Sequence, residues 1–218
     1  MNIAQYFSPH VDTAVKLLPH ALGATDDASH DASHLLRVWR NVQIISEKEG
    51  GDSAILMAAT LLHDCVDMPK DSPLRSSGSR MASEKAFATL TILGWQQDKA
   101  DMVAHAIEAH SFSAGVEPKT LEARILQDAD RLDAIGHIGI ARCFYVSGRL
   151  GRAIYDPEDP SGSRRDLDDL NFAIDHFKTK LLRLSGAFQT QTGNVLAAKR
   201  HKTVKNFMDG LLEEVSID

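Results

Sequence analysis

The stretch Ala59-Thr60-Leu61-Leu62-His63-Asp64 completes a segment, Ala54 to His63, that would be apolar on nearly every side of a helix. A helix that is hydrophobic all round is expected in the middle of a fold. Charged side chains are rarely buried without a partner. A His-Asp pair directly after such a helix therefore indicates either a helix end that reaches the surface or a metal ion. Metal ions bind imidazole nitrogen and carboxylate oxygen together.

Helical spacing of apolar residues continues along the rest of the chain, and no alternating strand of convincing length, internal repeat or low-complexity tract is apparent. The fold class predicted from this pattern is all-α. The other predicted helices cover residues 11–22, 32–49, 83–93, 97–109, 119–130, 135–145, 169–184 and 193–215. Loops are predicted at 67–79, 111–118 and 147–166, and the last is long enough to serve as a lid over a site.

Composition excludes several classes of protein. The chain of 218 residues carries a formal net charge of −6, so no global basic field attracts nucleic acid. A bound metal and a few local cations can still attract a small anionic substrate. Two cysteines form no disulfide framework. The first residues do not resemble a signal peptide, and no apolar run approaches the roughly 18 residues of a membrane span. We expect a cytoplasmic protein that binds neither membrane nor nucleic acid.

The His-Asp pair belongs to a longer ordered set. His34 opens a predicted helix in Ser29-His-Asp-Ala-Ser-His34, and Asp130 ends another in Ile125-Leu-Gln-Asp-Ala-Asp130. A His-Asp dipeptide alone is weak evidence, because a second one occurs at His30-Asp31. A histidine, a His-Asp pair and an aspartate at helix ends, in that order, form a more specific pattern.

This ordered pattern resembles the H…HD…D signature of the HD-domain superfamily of metal-dependent phosphohydrolases. The flanking residues are similar to those of small bacterial HD-domain hydrolases, at the stretches His30-Asp-x-x-His34, Leu62-His-Asp64, His110-Ser111 and Asp128-Ala-Asp130-Arg-Leu-Asp133. The resemblance implies an HD-domain helical bundle over about residues 25–140. Additional C-terminal helices, about 141–218, would complete a single HD-type domain of residues 1–218.

The resemblance implies that His34, His63, Asp64 and Asp130 bind one divalent metal ion. Two neutral imidazoles and two carboxylates would also balance such an ion on physical grounds, and would leave positions open for water and a phosphate oxygen. This mixed nitrogen and oxygen set suits Mn, Ni, Co, Fe, Zn or Mg without choosing among them.

Further residues receive roles in the expected reaction. By resemblance, Asp67 orients or deprotonates the attacking water, although an Asp that caps the start of a loop is an equal alternative. Lys70 and Arg131 are expected to neutralise phosphate charge. The predicted loop Arg75-Ser-Ser-Gly-Ser-Arg80 offers Arg80 to a phosphate, or is an ordinary solvated loop.

Four other residues are candidates for substrate binding or for supporting the metal ligands. His30 and His110 can bind phosphate or protonate a leaving oxygen, against the alternative of neutral surface histidines. Asp133 can orient a ligand histidine. Lys180 lies three residues before Arg183, where a solvated cationic face is the default interpretation.

We therefore expect hydrolysis of a phosphate ester or phosphoanhydride of a small phosphorylated substrate, in particular a nucleotide. Resemblance favours a nucleoside triphosphate pyrophosphohydrolase. The alternatives are a nucleoside monophosphate phosphatase and a regulator that binds metal and nucleotide without turnover. A Gly-Tyr-Pro motif, typical of one cyclic-dinucleotide class, does not occur. The helices near the termini leave a homodimer open.

Overall fold

Helix α3 (Ser53–Leu62) lies in the middle of the first half of the chain and packs against α1 (Val11–Ala21), α2 (Ala32–Glu49), α4 (Gly78–Ile92) and α5 (Gln97–His110). The computed structural model describes residues 3–21, 32–66, 77–111 and 114–215. All residues of α3 from Ile55 to Leu62 are buried. The predicted central helix is therefore confirmed, and its apolar character on all sides is explained by neighbours on all sides.

The remaining elements are also helical. A short 3-10 helix (Ile3–Phe7) precedes α1, and α6 (Leu121–Asp133) follows α5. Beyond α6 come α7 (Gly136–Arg149), α8 (Ala173–His176), a π-helical turn (Phe177–Leu181), α9 (Leu182–Leu184) and α10 (Gln191–Val215). No strand occurs among the described residues apart from an isolated bridge between Ala153 and Phe172. The all-α class is thus confirmed.

The chain forms two compact units, residues 1–130 and 131–218. In the first unit, the core consists of the buried faces of α1 to α5 and of the beginning of α6. In the second unit, α7 packs against α10 and α8. A single domain over residues 1–218 stays a prediction. No helix of the described residues combines the length and the apolar character needed to cross a membrane.

Two predicted loops differ from the structure. Helix α4 begins at Gly78, so Ser79 and Arg80 are helical and the predicted loop to residue 79 was wrong at its end. Helix α7 continues to Arg149, and the segment without regular helix runs from 150 to 172. The start of α4 is not marked by a capping side-chain bond, which removes the signal that a sequence would show.

The segment 150–172 is held by buried carboxylates. Asp175 is buried and accepts two hydrogen bonds from the guanidinium of Arg165, at 2.6 and 3.1 Å, and one from the main-chain N–H of Asp168. Asp159 accepts hydrogen bonds from the main-chain N–H groups of Ser163 and Arg164. The segment is therefore ordered by specific contacts within the second unit.

Candidate metal centre

Three helices bring the four predicted metal ligands together. His34 lies in the first turn of α2, His63 and Asp64 directly follow α3, and Asp130 lies on α6. The Nε2 atoms of His34 and His63 are 3.2 Å apart. Each Nε2 atom also faces both carboxylates: the distances are 3.6 Å to Asp64 and 3.6 Å to Asp130 from His34, and 3.5 Å and 3.9 Å from His63. Four residues distant in sequence thus meet within a few ångströms.

Burial differs between the two kinds of side chain. His34 and His63 are almost fully buried, at 1% exposure each. The side chains of Asp64 and Asp130 remain 33% and 29% exposed. The nitrogen side of the cluster is therefore sealed by the core, whereas the carboxylate side is open to water or to a ligand.

Main-chain carbonyls set the direction in which two imidazole rings point. Nδ1 of His63 lies 2.8 Å from the carbonyl oxygen of Thr60, and Nδ1 of His110 lies 2.6 Å from that of Ile107. Since a carbonyl only accepts hydrogen bonds, each Nδ1 carries a hydrogen. In the neutral ring the Nε2 atom then carries a lone pair. Such a backbone bond behind the ring is typical of metal-binding histidines.

His110 joins the cluster from the end of α5. Its Nε2 atom lies 3.8 Å from the Oδ1 atom of Asp64, and its ring makes an edge contact with the ring of His63. Donor atoms of His63, Asp64 and His110 form one group within 4.8 Å, and those of His34, His63 and Asp130 form another. His110, at 7% exposure, is not a surface histidine.

The electrostatics of the cluster favour a neutral His63 ring beside an ionised Asp64 carboxylate. Burial lowers the pKa of His63 below its ordinary 6.5, so the ring is neutral at pH 7. Burial opposes the ionisation of Asp64, but the imidazoles of His63, His34 and His110 hold the pKa of that carboxyl well below its usual range. Lone pairs and negative charge therefore face one another, an arrangement that is costly when buried without a compensating cation.

The donor set fits a divalent metal ion. Ligand atoms about 2.1 Å from one cation are separated by about 3.0–3.4 Å at octahedral or tetrahedral angles. The distances of 3.2–3.9 Å from the Nε2 atoms are at or slightly above that range, so small rotations of the side chains suffice. His34, His63, Asp64 and Asp130 can therefore hold a metal ion, and its identity is not determined by this donor set.

Other candidate residues lie outside the cluster or outside the described part of the chain. Asp67, Lys70 and His30 fall outside the described residues. Arg80 lies on α4 with a side chain that is 71% exposed, and it pairs with Glu84 at 3.4 Å. Arg80 therefore belongs to a solvated helix surface instead of a loop.

Three candidates belong to the second unit. The guanidinium of Arg131 is largely buried and donates a hydrogen bond to the carbonyl of Ala187. Asp133 is buried and accepts a 2.7 Å hydrogen bond from Arg142. Lys180 lies in the π-helical turn, with an exposed side chain.

Two buried amides close to the cluster were not singled out from the sequence. Asn41 on α2 and Gln127 on α6 are 3% and 2% exposed. Asn41 lies between Val38 and Val42 in the apolar stripe of α2, seven residues after His34. A polar residue on an apolar stripe in register with a candidate ligand is a signal that periodicity alone could have shown.

Known proteins resemble this chain in sequence and in fold. The model of the HD domain family matches residues 31–135. The uncharacterized protein YpgQ of Bacillus subtilis is 35% identical over 196 residues, which are 88% of this chain and 87% of YpgQ. The structure of YpgQ in complex with ADP has a TM-score of 0.70 and 29% identity, over 98% of this chain and 97% of that chain.

A second solved structure carries a functional description. It is an HD-superfamily hydrolase from Bacillus thuringiensis with a TM-score of 0.66 and 28% identity, and the match covers 97% of this chain and 94% of that chain. Taken together, the family match, the relative that spans most of both chains and the cluster of histidines and aspartates show that this chain belongs to the HD-domain superfamily, whose members include hydrolases.

Proposed function

We propose that this protein is a metal-dependent phosphohydrolase that acts on a nucleotide, with one divalent ion held by His34, His63, Asp64 and Asp130. The observation that carries the proposal is that two buried imidazole Nε2 atoms lie 3.2 Å apart and that each of them lies 3.5–3.9 Å from an oxygen of both partly exposed carboxylates. A bound divalent ion supplies a bound water of lowered pKa and polarises a phosphoryl oxygen.

The nucleotide part of the proposal rests on a relative. YpgQ has been crystallised in complex with ADP, and the sequence match between the two proteins covers 88% of this chain and 87% of YpgQ. A nucleotide phosphate would approach from the side of Asp64 and Asp130, since the two histidines are sealed in the core. Resemblance to the small bacterial HD hydrolases favours a triphosphate substrate and release of pyrophosphate.

In the proposed reaction a water oxygen forms a bond to phosphorus, and the bond from phosphorus to the leaving oxygen breaks. Asp67 would accept the proton that water loses. The leaving oxygen departs as an anion or takes a proton from solvent, because the neutral ring of His110 has its proton on Nδ1, bound to the carbonyl of Ile107. Lys70 would stabilise the charge that builds up on the phosphoryl oxygens, whereas the guanidinium of Arg131, for which the same role was expected, is largely buried and donates to the carbonyl of Ala187.

Turnover of metal-stripped protein on a nucleotide panel tests this proposal. Mn, Mg, Ni, Co and Zn are added back one at a time, and phosphate and pyrophosphate are measured separately. We expect one or more metals to restore turnover in the wild type, but not in Asp64→Ala or His63→Ala. His137→Ala, which removes an exposed histidine of the second unit, is the matched control and keeps wild-type activity.

The products and the controls separate the alternatives. Release of phosphate from a nucleoside monophosphate would identify a monophosphatase and contradict the proposed pyrophosphohydrolase. Nucleotide binding with no product under any metal would favour a regulator without turnover. If Asp64→Ala bound Mn as tightly as the wild type, the proposed ligand set would be wrong. Full activity of Asp67→Ala would remove the role of Asp67 as the base.

A further inference from the structure

Two buried carboxamides connect the helices that carry the candidate ligands. The Nδ2 atom of Asn41, on α2, donates to the carbonyl oxygen of Ala129 on α6 at 2.9 Å. The Nε2 atom of Gln127, on α6, donates to the carbonyl oxygen of Ala109 on α5 at 2.6 Å. These two bonds join α2 to α6 and α6 to α5. The three helices α2, α6 and α5 carry His34, Asp130 and His110, respectively.

Each bond ends directly beside a residue of the cluster. Ala129 precedes Asp130, and Ala109 precedes His110. The position of a side chain follows the position of its own main chain, so fixing these two carbonyls fixes where the two side chains begin.

The chain pays for this arrangement with buried polarity. Ala109 lies in the last turn of α5, where main-chain carbonyls have no amide partner in their own helix, and Gln127 supplies one. The Oε1 atom of Gln127 is buried and has no hydrogen-bond partner among the described residues. An unmade hydrogen bond of a buried group destabilises a fold. A methionine or leucine at 127 would fill the same space without that cost, but it would leave the carbonyl of Ala109 without its donor, so the glutamine serves this hydrogen bond and not packing alone.

We propose that Asn41 and Gln127 are positioning residues that hold the candidate ligand Asp130, on α6, against His34 on α2 and against His110 on α5, so that Asp130 and His34 keep the spacing a metal ion requires. Asn41 acts on the pair His34 and Asp130, and Gln127 acts on the pair Asp130 and His110. Neither amide faces the metal as a ligand. The inference rests on the proposed function only in assuming that the cluster binds a metal ion.

The test is the affinity of metal-stripped protein for Mn²⁺, measured by titration calorimetry without any substrate. Asn41→Leu and Gln127→Met keep the side-chain volume and remove the donor. Because partners that orient metal ligands typically contribute 10–100-fold to affinity, we expect each variant to weaken Mn²⁺ binding by about that factor. Val103→Ala, a truncation of the buried face of α5, is the matched control.

The thermal unfolding of each metal-free variant is recorded beside the titration. We expect Val103→Ala to lose stability and to keep the wild-type affinity for Mn²⁺ within about twofold, because Val103 takes no part in the hydrogen bonds of Asn41 and Gln127. If Gln127→Met does not fold, Gln127→Asn takes its place, since it shortens the side chain by one methylene. Asn41→Leu, on α2, tests the same inference independently.

The outcomes are distinguishable. Weak binding in Asn41→Leu and Gln127→Met beside tight binding in Val103→Ala supports the inference. Tight binding in all variants overturns the inference and leaves the proposed function standing. Equal weakening in Val103→Ala would show that general stability controls the affinity, which also overturns it. A wild type that binds no Mn²⁺ overturns the proposed metal site and the inference together.

Discussion

Cys65, the residue after Asp64, is buried, and so is Cys143 in the second unit. Burial raises the pKa of each thiol to about 11. Only the thiolate reacts with alkylating reagents, so the native protein should react slowly at pH 8. We expect alkylation by iodoacetamide to be about 100-fold slower in the native state than in guanidinium chloride, on the basis of the fraction of thiolate.

The measurement is mass spectrometry of the peptides that carry each cysteine, taken over time. The unfolded protein is its own control, since both thiols are exposed there. Equal rates in the two states would show that the native thiols are ionised or open to solvent, in conflict with their burial.

At the scale of single residues, the sequence predicted which side chains lie together better than it predicted the contacts that each of them makes. The side chains of His34, His63, Asp64 and Asp130 lie close together, and their role as metal ligands stays a prediction. The sequence left open whether His110 belongs to the site, because a histidine at the end of a helix does not show what lies near its ring. In the structure its Nε2 atom lies 3.8 Å from Asp64. The hydrogen bond from Arg131 to the carbonyl of Ala187 joins residues 56 positions apart, which no local pattern can show.

Helix α3 owes its start to Asp52. Its carboxylate accepts hydrogen bonds from the main-chain N–H groups of Ala54 and Ile55, at 2.9 and 3.3 Å, and pairs with Lys99 at 2.8 Å. Replacing a capping aspartate by alanine typically costs about 1 kcal/mol. We expect Asp52→Ala to lower the free energy of unfolding by about that amount, measured by urea denaturation.

The control for this prediction is Asp101→Ala, which removes an exposed carboxylate of α5. Surface substitutions of this kind usually change stability by less than about 0.5 kcal/mol. If the two variants were equally stable, the cap would not contribute to the fold.

The segment 150–172 contains a titrating contact. The hydrogen bond from the main-chain N–H of Arg164, with those from Ser163 and Ser161, lowers the pKa of Asp159 from 3.8 to about 2. A carboxyl with a lowered pKa in the folded state stabilises the fold above the unfolded pKa, and this contribution is lost as the pH falls from about 4 to about 2. Asp159→Asn cannot titrate.

We therefore expect the free energy of unfolding of Asp159→Asn to be lower than that of the wild type at pH 7. We also expect it to vary less between pH 4 and pH 2. Denaturant titrations at several pH values measure both. Parallel pH profiles for the two proteins would show that Asp159 does not carry the effect.

Elements were predictable where periodicity was strong. Helix α2 runs from Ala32 to Glu49, the bounds predicted, because Gly50 has a φ of 89° that ends the helix and that glycine adopts easily. The 3-10 helix Ile3–Phe7 and the π-helical turn Phe177–Leu181 were missed. Such turns depart from the 3.6-residue period by less than one residue per turn, and a short run of apolar residues does not resolve that difference.

For the whole molecule, metal binding and stability should be linked. A ligand that binds only the folded state adds about 2.7 kcal/mol at a concentration of 100 times its Kd. We expect Mn²⁺ to raise the unfolding temperature of the metal-stripped wild type, measured by calorimetry. We expect no rise for Asp130→Ala.

His105→Ala is the control, since His105 accepts a hydrogen bond from the main-chain N–H of Lys119 and does not belong to the cluster. It should keep the full rise with Mn²⁺. A rise of equal size in Asp130→Ala would place the metal somewhere other than the proposed centre.

The order of helices along the chain could be predicted, and a C-terminal extension was expected from about residue 141, but the exact point at which the chain divides could not be predicted. The boundary between the two compact units falls between Asp130 and Arg131, within the last turn of helix α6. Composition and periodicity do not change at that point, since the helix continues unbroken. Only the packing partners of successive residues reveal the division.

The difference in burial between histidines and carboxylates has a consequence for exchange. Among the described residues, a cation held there would meet outside molecules past Asp64 and Asp130, which are 33% and 29% exposed. These two carboxylates balance a bound divalent ion, so a polyanionic chelator such as EDTA would be repelled by the net charge of −6 of the chain, whereas the uncharged 1,10-phenanthroline would not. Stripping by EDTA should therefore accelerate as added salt screens the charges, and stripping by phenanthroline should be indifferent to salt.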